Sequence, residues 1–183
     1  GTLIGDRHVL TSAQCFVDPM IDYGAFVVQT SPRLNGTSQH VNIRTIYLHP
    51  SFNRVDLDHD VAVLELQSAV DLTSGGTAVL NSKSNATCFD DSLVSADWTA
   101  NATSAGAVFP SSLVASDAEC VVQSQCQMLM DSELLLDDAV MFCTEQAAPS
   151  ETAASTSADQ PAAAFPTDAG APLFVFNESA SDS

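Results

Sequence analysis

Short apolar runs separated by turn residues dominate the first half of the chain. Apolar residues alternate with polar ones, or follow one another directly, over residues 25–28, 41–46 and 61–66. Pro32 and Pro50 lie between these runs. Apolar runs of this length, bounded by turn residues, are typical of β-strands. The pattern therefore predicts a succession of strands joined by turns.

The composition limits the classes of partner. A chain of 183 residues with 45% hydrophobic residues can supply the core of one large β domain or two small lobes. Its formal net charge is −18, from 5 Lys and Arg against 23 Asp and Glu. Nucleic acids and anionic membrane surfaces are bound through clustered cations, so we expect neither as a partner. A basic protein would be attracted, although the same charge also serves solubility. No apolar run approaches the ~20 residues that a membrane-spanning helix needs.

Two further features favour an extracellular location. Chance supplies one or two N-glycosylation sequences in a chain this rich in Ser and Thr, but four favour a secreted protein. Five cysteines agree with an oxidising compartment, where disulfides persist, and the odd count leaves one over. The four acceptor asparagines are Asn35, Asn85, Asn101 and Asn177.

The first fifteen residues carry the clearest motif. They begin Gly-Thr-Leu-Ile-Gly-Asp and end Val-Leu-Thr-Ser-Ala-Gln-Cys. This stretch resembles the trypsin-like serine proteases, which write Cys-Gly-Gly-Thr-Leu-Ile and later Trp-Val-Leu-Thr-Ala-Ala-His-Cys. In that family the histidine before the cysteine is the general base, and Gln14 stands at its place. An amide does not titrate near neutral pH, so Gln14 cannot take a proton from a nucleophile.

Two later segments extend the resemblance to the other members of the catalytic triad. Asp60, followed by Val-Ala-Val-Leu, is similar to the family's Asn-Asp-Ile-Ala-Leu-Leu segment, which carries the triad aspartate. Residues 167–173 resemble the nucleophile loop Gly-Asp-Ser-Gly-Gly-Pro-Leu, but Ala169 replaces its serine. A methyl group cannot attack a carbonyl. The resemblance thus implies a degenerate triad of Gln14, Asp60 and Ala169 that leaves no catalytic residue.

One segment of the sequence has acidic residues spaced as in a calcium-binding loop. Asp56, Asp58 and Asp60 stand at alternate positions. Such a loop needs a glycine at its sixth position and a glutamate at its twelfth, where this chain has Val61 and Gln67. We therefore expect no metal at this segment, and we expect no cofactor.

The resemblance also implies a disulfide. Cys120 and Cys143 are similar to two cysteines that flank a short helix in the family and are bonded to each other. Cys88 and Cys126 then remain to pair, although the sequence alone leaves all three pairings of these four cysteines open. The family's partner for Cys15 would fall immediately ahead of the first residue.

The resemblance implies an all-β fold of the chymotrypsin type, in which two antiparallel six-stranded barrels form one peptidase-like domain over residues 1–183. We expect the N-terminal barrel at about residues 1–75 and the C-terminal barrel at about residues 85–183, joined by a stretch rich in Ser, Gly and Asn. The family continues beyond both ends of this sequence, so we expect the fold to be incomplete at both termini.

A fold kept without its reactive groups is expected to act through its surface. The acidity, the serine-rich loops and the Gln, Asp and Ala at the triad positions are most similar to the glucanase inhibitor proteins of oomycete plant pathogens. That resemblance implies a secreted, catalytically inactive protein of the host apoplast. Its partner would be a basic host plant endo-β-1,3-glucanase, and its inhibition would suppress defence triggered by glucan fragments. The alternative is a secreted pseudo-protease that acts as a decoy or cofactor for another protease or inhibitor.

Overall fold

The computed structural model describes residues 1–30, 38–73, 75–80, 93–97, 101–103, 106–108, 114–129, 142–146, 171 and 173–175. The strands are β1 (Thr2–Gly5), β2 (His8–Thr11), β3 (Val27–Gln29), β4 (His40–Leu48), β5 (Ala62–Leu66), β6 (Leu93–Asp97), β7 (Asn101–Thr103), β8 (Gly106–Val108), β9 (Val114–Val121), β10 (Cys143–Gln146) and β11 (Leu173–Val175). The helices in these ranges are α1 (Gln123–Leu129) and the 3₁₀ helices Ala13–Phe16 and Tyr23–Ala25. None of these helices has the length and apolar character that crossing a membrane requires.

The first five strands form an antiparallel sheet in the order β1-β2-β5-β4-β3. β5 is its central strand, because it pairs with β2 on one side and with β4 on the other. Along β5 the residues Ala62, Leu64 and Leu66 are buried, whereas Val63 and Glu65 are only partly buried. Since successive side chains of a strand point to opposite faces, this register turns one apolar face of the sheet toward the core.

The core beneath this sheet is one cluster of aliphatic side chains. Fully burying such a side chain contributes roughly 1.5–3 kcal/mol. Because the cluster and the side chains packed against it come from all five strands, it holds the ends of these strands in place. Its buried members are Val9, Val41, Ile43, Leu64, Leu66 and Val70, and Leu3, Phe16, Val28 and Ile46 pack against them.

The apolar runs in the sequence correspond to strands whose ends are shifted. The runs at 41–46 and 61–66 fall on β4 and β5. The prediction was wrong at the start of the run 25–28, because Ala25 ends a 3₁₀ helix and β3 begins only at Val27. The carboxylate of Asp22 explains the difference, since it accepts a 3.0 Å hydrogen bond from the backbone N–H of Gly24 and caps that helix.

Strands from the second half form a separate antiparallel sheet in the order β10-β9-β6-β11, and within the described ranges β7 and β8 form a two-stranded sheet of their own. Leu93, Ala118 and Val121 are buried in this part of the chain. The mostly β architecture with two antiparallel sheets confirms the predicted fold class. Within the described residues the two sheets have five and four strands, and the proposed boundary between the lobes stays a prediction.

The prediction that Cys120 pairs with Cys143 was wrong, because Cys143 is bonded to Cys126, with 6.0 Å between the Cα atoms. In the pairing of β9 with β10, Cys143 lies opposite Val121 and Cys120 lies opposite Thr144. Opposite residues share a face and successive residues alternate, so Cys120 and Cys143 point to opposite faces of the sheet. The helix α1 instead carries the buried Cys126 back to Cys143. Cys120 is itself disulfide-bonded.

Several predicted residues cannot be compared with the structure. Asn101 is the first residue of β7, and its glycosylation stays a prediction. The residues that lie outside the described ranges are Asn35, Cys88, Asn85, Ala169 and Asn177.

A side-chain clasp joins the segment before β4 to the segment after β5. Gln39 Nε2 donates to the backbone oxygen of Asp71 over 2.9 Å, and the backbone N–H of Asp71 donates to Gln39 Oε1 over 2.8 Å.

Hydrogen bonds from the backbone and the side chain of Thr73 lower the pKa of the Asp71 carboxyl. The stability that the bonds from Thr73 contribute is therefore fully present above the ordinary pKa of an aspartate, and it is lost as the pH falls through the lowered pKa of Asp71 in the folded protein.

Candidate functional site

The ends of two paired strands bring the first site residues together. β2 ends at Thr11 and β5 begins at Ala62, and these two residues face each other in the antiparallel register. The chain leaving β2 turns at once into the 3₁₀ helix Ala13–Phe16, and Asp60 stands two residues before β5. Gln14 and Asp60 are therefore neighbours although they are 46 positions apart.

Asp60 is the hydrogen bond acceptor at the centre of the site. Ser12 Oγ donates to its Oδ2 over 2.5 Å, and Gln14 Nε2 donates to the same oxygen over 2.8 Å. The backbone N–H of Gln14 donates to Oδ1 over 2.7 Å. Hydrogen bonds to an ionised carboxylate are roughly twice as strong as neutral ones. The three donors come from one short segment, so Asp60 holds the end of β2 and the 3₁₀ helix against the start of β5.

The backbone explains why these donors are available. Ser12 precedes the 3₁₀ helix with an extended backbone, φ −84° and ψ 138°, and its side chain makes no capping hydrogen bond. Its hydroxyl is buried with the rest of the residue and instead reaches Asp60. The first N–H groups of a helix have no partner within the helix. The carboxylate of Asp60 accepts the backbone N–H of Gln14 and so caps the helix, which the side chain of Ser12 does not do.

The side chain of Gln14 has the hydrogen bonding capacity of a histidine but not its acid–base chemistry. Its Nε2 donates to Asp60 as an imidazole N–H would. The amide carries donors and an acceptor, but it neither gains nor loses a proton near neutral pH. Gln14 is exposed, so its amide is reachable from solvent. The pair can orient a bound group by hydrogen bonds, but Gln14 cannot carry a proton.

The structure brings together two of the three residues that the resemblance assigned to the triad, Gln14 and Asp60. Ala169 lies outside the described residues, and its place beside this pair stays a prediction. Ser12 is a site residue that the sequence reasoning missed. The signal was present, because the family writes Thr-Ala-Ala-His where this chain has Thr-Ser-Ala-Gln. A hydroxyl in place of that alanine adds a donor next to the carboxylate.

The turn that delivers Asp60 has an unusual backbone. Leu57 and His59 have φ of 54° and 55°, in the left-handed region that most side chains avoid. The ring of His59 stacks on that of His49, with 4.7 Å between the ring centroids. His59 Nδ1 lies 3.0 Å from Asp58 Oδ1, and the two atoms make no hydrogen bond to each other. His59, the residue immediately before Asp60, thus combines a left-handed backbone with a ring stacked on His49 and a nearby carboxylate.

The three alternating aspartates do not converge on one point. Asp56 accepts a hydrogen bond from Asn53 Nδ2 over 2.5 Å, and Asp58 lies beside His59. Asp60 is occupied by Ser12 and Gln14. Within the ranges that the structure describes, no three His, Cys, Asp or Glu side chains are grouped to hold a metal ion.

Replacing Asp60 by asparagine is expected to lower the free energy of unfolding by about 2–3 kcal/mol. Three donors would then face one oxygen and one NH₂ group, so at least one of the three would lose its acceptor. Urea denaturation measures the change. Asp56→Asn is the matched control, because that carboxylate accepts a hydrogen bond from one exposed side chain and its loss should cost under about 0.5 kcal/mol. Equal shifts of the two midpoints would contradict the central role of Asp60.

Comparison with known proteins agrees with the geometry. The sequence matches the trypsin family over residues 1–178. It is 28% identical to trypsin-4 of Rattus norvegicus over 144 residues, which are 78% of this chain and 55% of that protein. It is 30% identical to trypsin of Sus scrofa over 128 residues, which are 69% of this chain and 53% of that protein. The chain thus spans about half the length of the curated relatives it matches.

The structure has the same fold as a solved serine protease. It superposes on neuropsin, a serine protease expressed in the limbic system of mouse brain, with a TM-score of 0.67. The match covers 94% of this chain and 70% of neuropsin, at 22% sequence identity. At that identity the likeness shows the chymotrypsin-like fold and carries no conclusion about activity.

Proposed function

The chain belongs to the trypsin family of serine proteases, and from this premise we propose that it is a member that binds a protein without cleaving it. The partner is a host plant endo-β-1,3-glucanase, which it inhibits. Inhibition takes place outside the cell, in the host apoplast, and suppresses the defence that glucan fragments elicit.

The single observation that carries the proposal is the hydrogen bond from Gln14 Nε2 to Asp60. In a working triad the group bonded to the aspartate takes a proton from the nucleophile and becomes a cation that the aspartate stabilises. An amide cannot take that proton, and Ala169 offers no nucleophile to supply it. Losing either the base or the nucleophile alone costs on the order of 10⁶ in turnover.

Surface charge and location support a binding role. The net charge of −18 attracts basic proteins and raises their association rate. Four glycosylation sequences and the disulfide between Cys126 and Cys143 fit a protein that works in an oxidising, extracellular compartment. A secreted domain without peptidase chemistry still presents the loops of its fold to a partner.

Binding of a purified basic endo-β-1,3-glucanase to the immobilised protein tests the proposal. We expect saturable binding whose association rate falls about tenfold or more from low to high salt, because charge steers the encounter. Surface plasmon resonance measures both rate constants. An acidic glucanase of similar size serves as the control and should associate more slowly. The absence of binding to the basic enzyme at low salt would contradict the proposal, and capture of a protease or protease inhibitor in its place would favour a decoy or cofactor.

A further inference from the structure

Apolar side chains that the site does not use lie on the segment that runs from the end of the first 3₁₀ helix, at Phe16, to the first residue of β3, Val27. We call this segment the 16–27 loop. Exposed apolar side chains are ordinary when scattered, but a group of them rimmed by polar residues is typical of an interaction surface. Methionine and phenylalanine are among the residues enriched at protein interfaces. The exposed apolar residues of this loop are Met20, Ile21, Phe26 and Val27.

The 16–27 loop is held in shape from within. The ring of Tyr23 lies 5.4 Å from that of Phe16 and 5.8 Å from that of Phe26, between centroids. Phe16 packs against the core of the first sheet and so anchors this row of rings. The Tyr23 hydroxyl accepts a 2.7 Å hydrogen bond from the backbone N–H of Asp18. A surface that is ordered before its partner arrives loses less conformational entropy on binding.

Acidic side chains border the apolar residues. Asp18 and Asp22 are both exposed, and the sequence has no Lys or Arg between Arg7 and Arg33. One carboxylate oxygen of each aspartate accepts a backbone N–H within the loop, from Met20 over 2.9 Å and from Gly24 over 3.0 Å. These bonds fix the negative charges beside the apolar residues. The chemistry that complements such a surface is an apolar centre ringed by lysine and arginine.

We propose that the 16–27 loop is the surface that contacts the basic protein partner. The inference rests on the proposed function, since it names the part of the chain that holds the glucanase. The exposed methionine and aromatic residues form the desolvated centre of the contact, where most of the binding energy of an interface is found, and the aspartates form its charged rim. The loop begins in the 3₁₀ helix that carries Gln14, so a partner bound there lies next to the site.

Met20→Arg tests the apolar centre. Met20 is 90% exposed, so the substitution leaves the fold intact but places a cation against a cationic partner. We expect the affinity for the purified basic glucanase to fall about tenfold or more.

Val79→Arg is the matched control for the apolar centre. Val79 is 94% exposed, and the N–H of its neighbour Ala78 bonds to Leu3 of β1, at the opposite edge of the sheet from β3. Since the same charge is added far from the loop, the affinity should change less than about twofold.

The double substitution Asp18→Asn with Asp22→Asn tests the rim. Asparagine keeps the side-chain oxygens that accept from Met20 and Gly24, so the loop conformation is retained while two charges are removed. We expect the association rate to fall several-fold and its salt dependence to weaken, with a smaller change in the dissociation rate.

The outcomes separate this inference from the function it rests on. If the unaltered protein binds the glucanase and Met20→Arg alone weakens binding, the loop is the contact surface. If Met20→Arg binds as tightly as the unaltered protein, or Val79→Arg is weakened equally, the loop is not the surface although the function stands. If the unaltered protein does not bind the glucanase, both proposals are overturned.

Discussion

A peptide amide substrate incubated with the purified protein is expected to be hydrolysed about 10⁶-fold more slowly than by an active trypsin. The loss in turnover that follows from lacking the base and the loss that follows from lacking the nucleophile do not multiply, because the groups of a triad act as a unit. The factor corresponds to about 8 kcal/mol of transition-state stabilisation. Asp60 keeps its hydrogen bonds to Ser12 and Gln14, but it cannot replace that amount, since its work in a triad is to support a histidine cation. Release of a fluorogenic leaving group over many hours measures the rate.

Restoring the missing groups provides the control. Gln14→His returns a base and Ala169→Ser returns a hydroxyl, and each variant alone is expected to remain silent because the other group is absent. Any gain in hydrolysis should be confined to the variant that carries both changes. Covalent labelling by a fluorophosphonate, followed by intact mass, reports whether a nucleophilic serine has formed. Turnover by the unaltered protein that disappears in Asp60→Asn would contradict this expectation.

Removing the disulfide between Cys126 and Cys143 is expected to lower the free energy of unfolding by about 3 kcal/mol, because the bond closes a loop of 17 positions in the unfolded chain. Replacing both cysteines by alanine leaves the pairing of Cys120 untouched. Either single substitution should cost about as much as the double one, since the two residues contribute through one bond. Chemical denaturation monitored by circular dichroism measures all three variants.

The control for the disulfide comes from the same helix. Met128→Ala changes a side chain of α1 that is largely exposed, and its expected cost is under about 0.5 kcal/mol. Thiol labelling of Cys143→Ala should modify Cys126 and leave Cys120 unreactive. Labelling of Cys120 in that variant would contradict the pairing and restore the one that the resemblance implied.

Strands were predictable where one face of the sheet is buried. The alternation along 61–66 reappears as the buried and partly buried residues of β5, because side-chain direction in a strand has a period of two. The prediction of a strand from residue 25 was wrong because the apolar residues of the run 25–28 are mostly exposed and do not define a buried face. There the capping carboxylate of Asp22 decides the backbone in favour of a 3₁₀ helix.

The cysteine pairing could not be obtained from the sequence, because it depends on the register between β9 and β10. A shift of one residue would exchange the faces of Cys120 and Val121, and no feature of the sequence fixes that register. The resemblance predicted a bond between Cys120 and Cys143, which lie on the adjacent strands β9 and β10, whereas the bond formed joins β10 to the helix that follows β9.

Two residues of the candidate site, Gln14 and Asp60, were predictable, but Ser12 and the hydrogen bonds among the three were not. The resemblance assigned Gln14 and Asp60 to one place, and the pairing of Thr11 with Ala62 puts them there. Ser12 donates to Asp60 because its hydroxyl makes no capping hydrogen bond to the 3₁₀ helix, and a sequence comparison does not show that. The stacking of His59 on His49 likewise accompanies a left-handed backbone at His59, a conformation that is uncommon for residues other than glycine and that the sequence does not indicate.

We propose that this protein binds its partner without cleaving it, and a titration of a basic plant endo-β-1,3-glucanase is the most direct test. Glucan hydrolysis and the intact masses of both proteins are recorded in the same samples as the protein is added. We expect hydrolysis to fall in proportion to the added protein while both masses stay unchanged. Hydrolysis that persists at excess protein, or that falls only as glucanase fragments appear, would contradict the account.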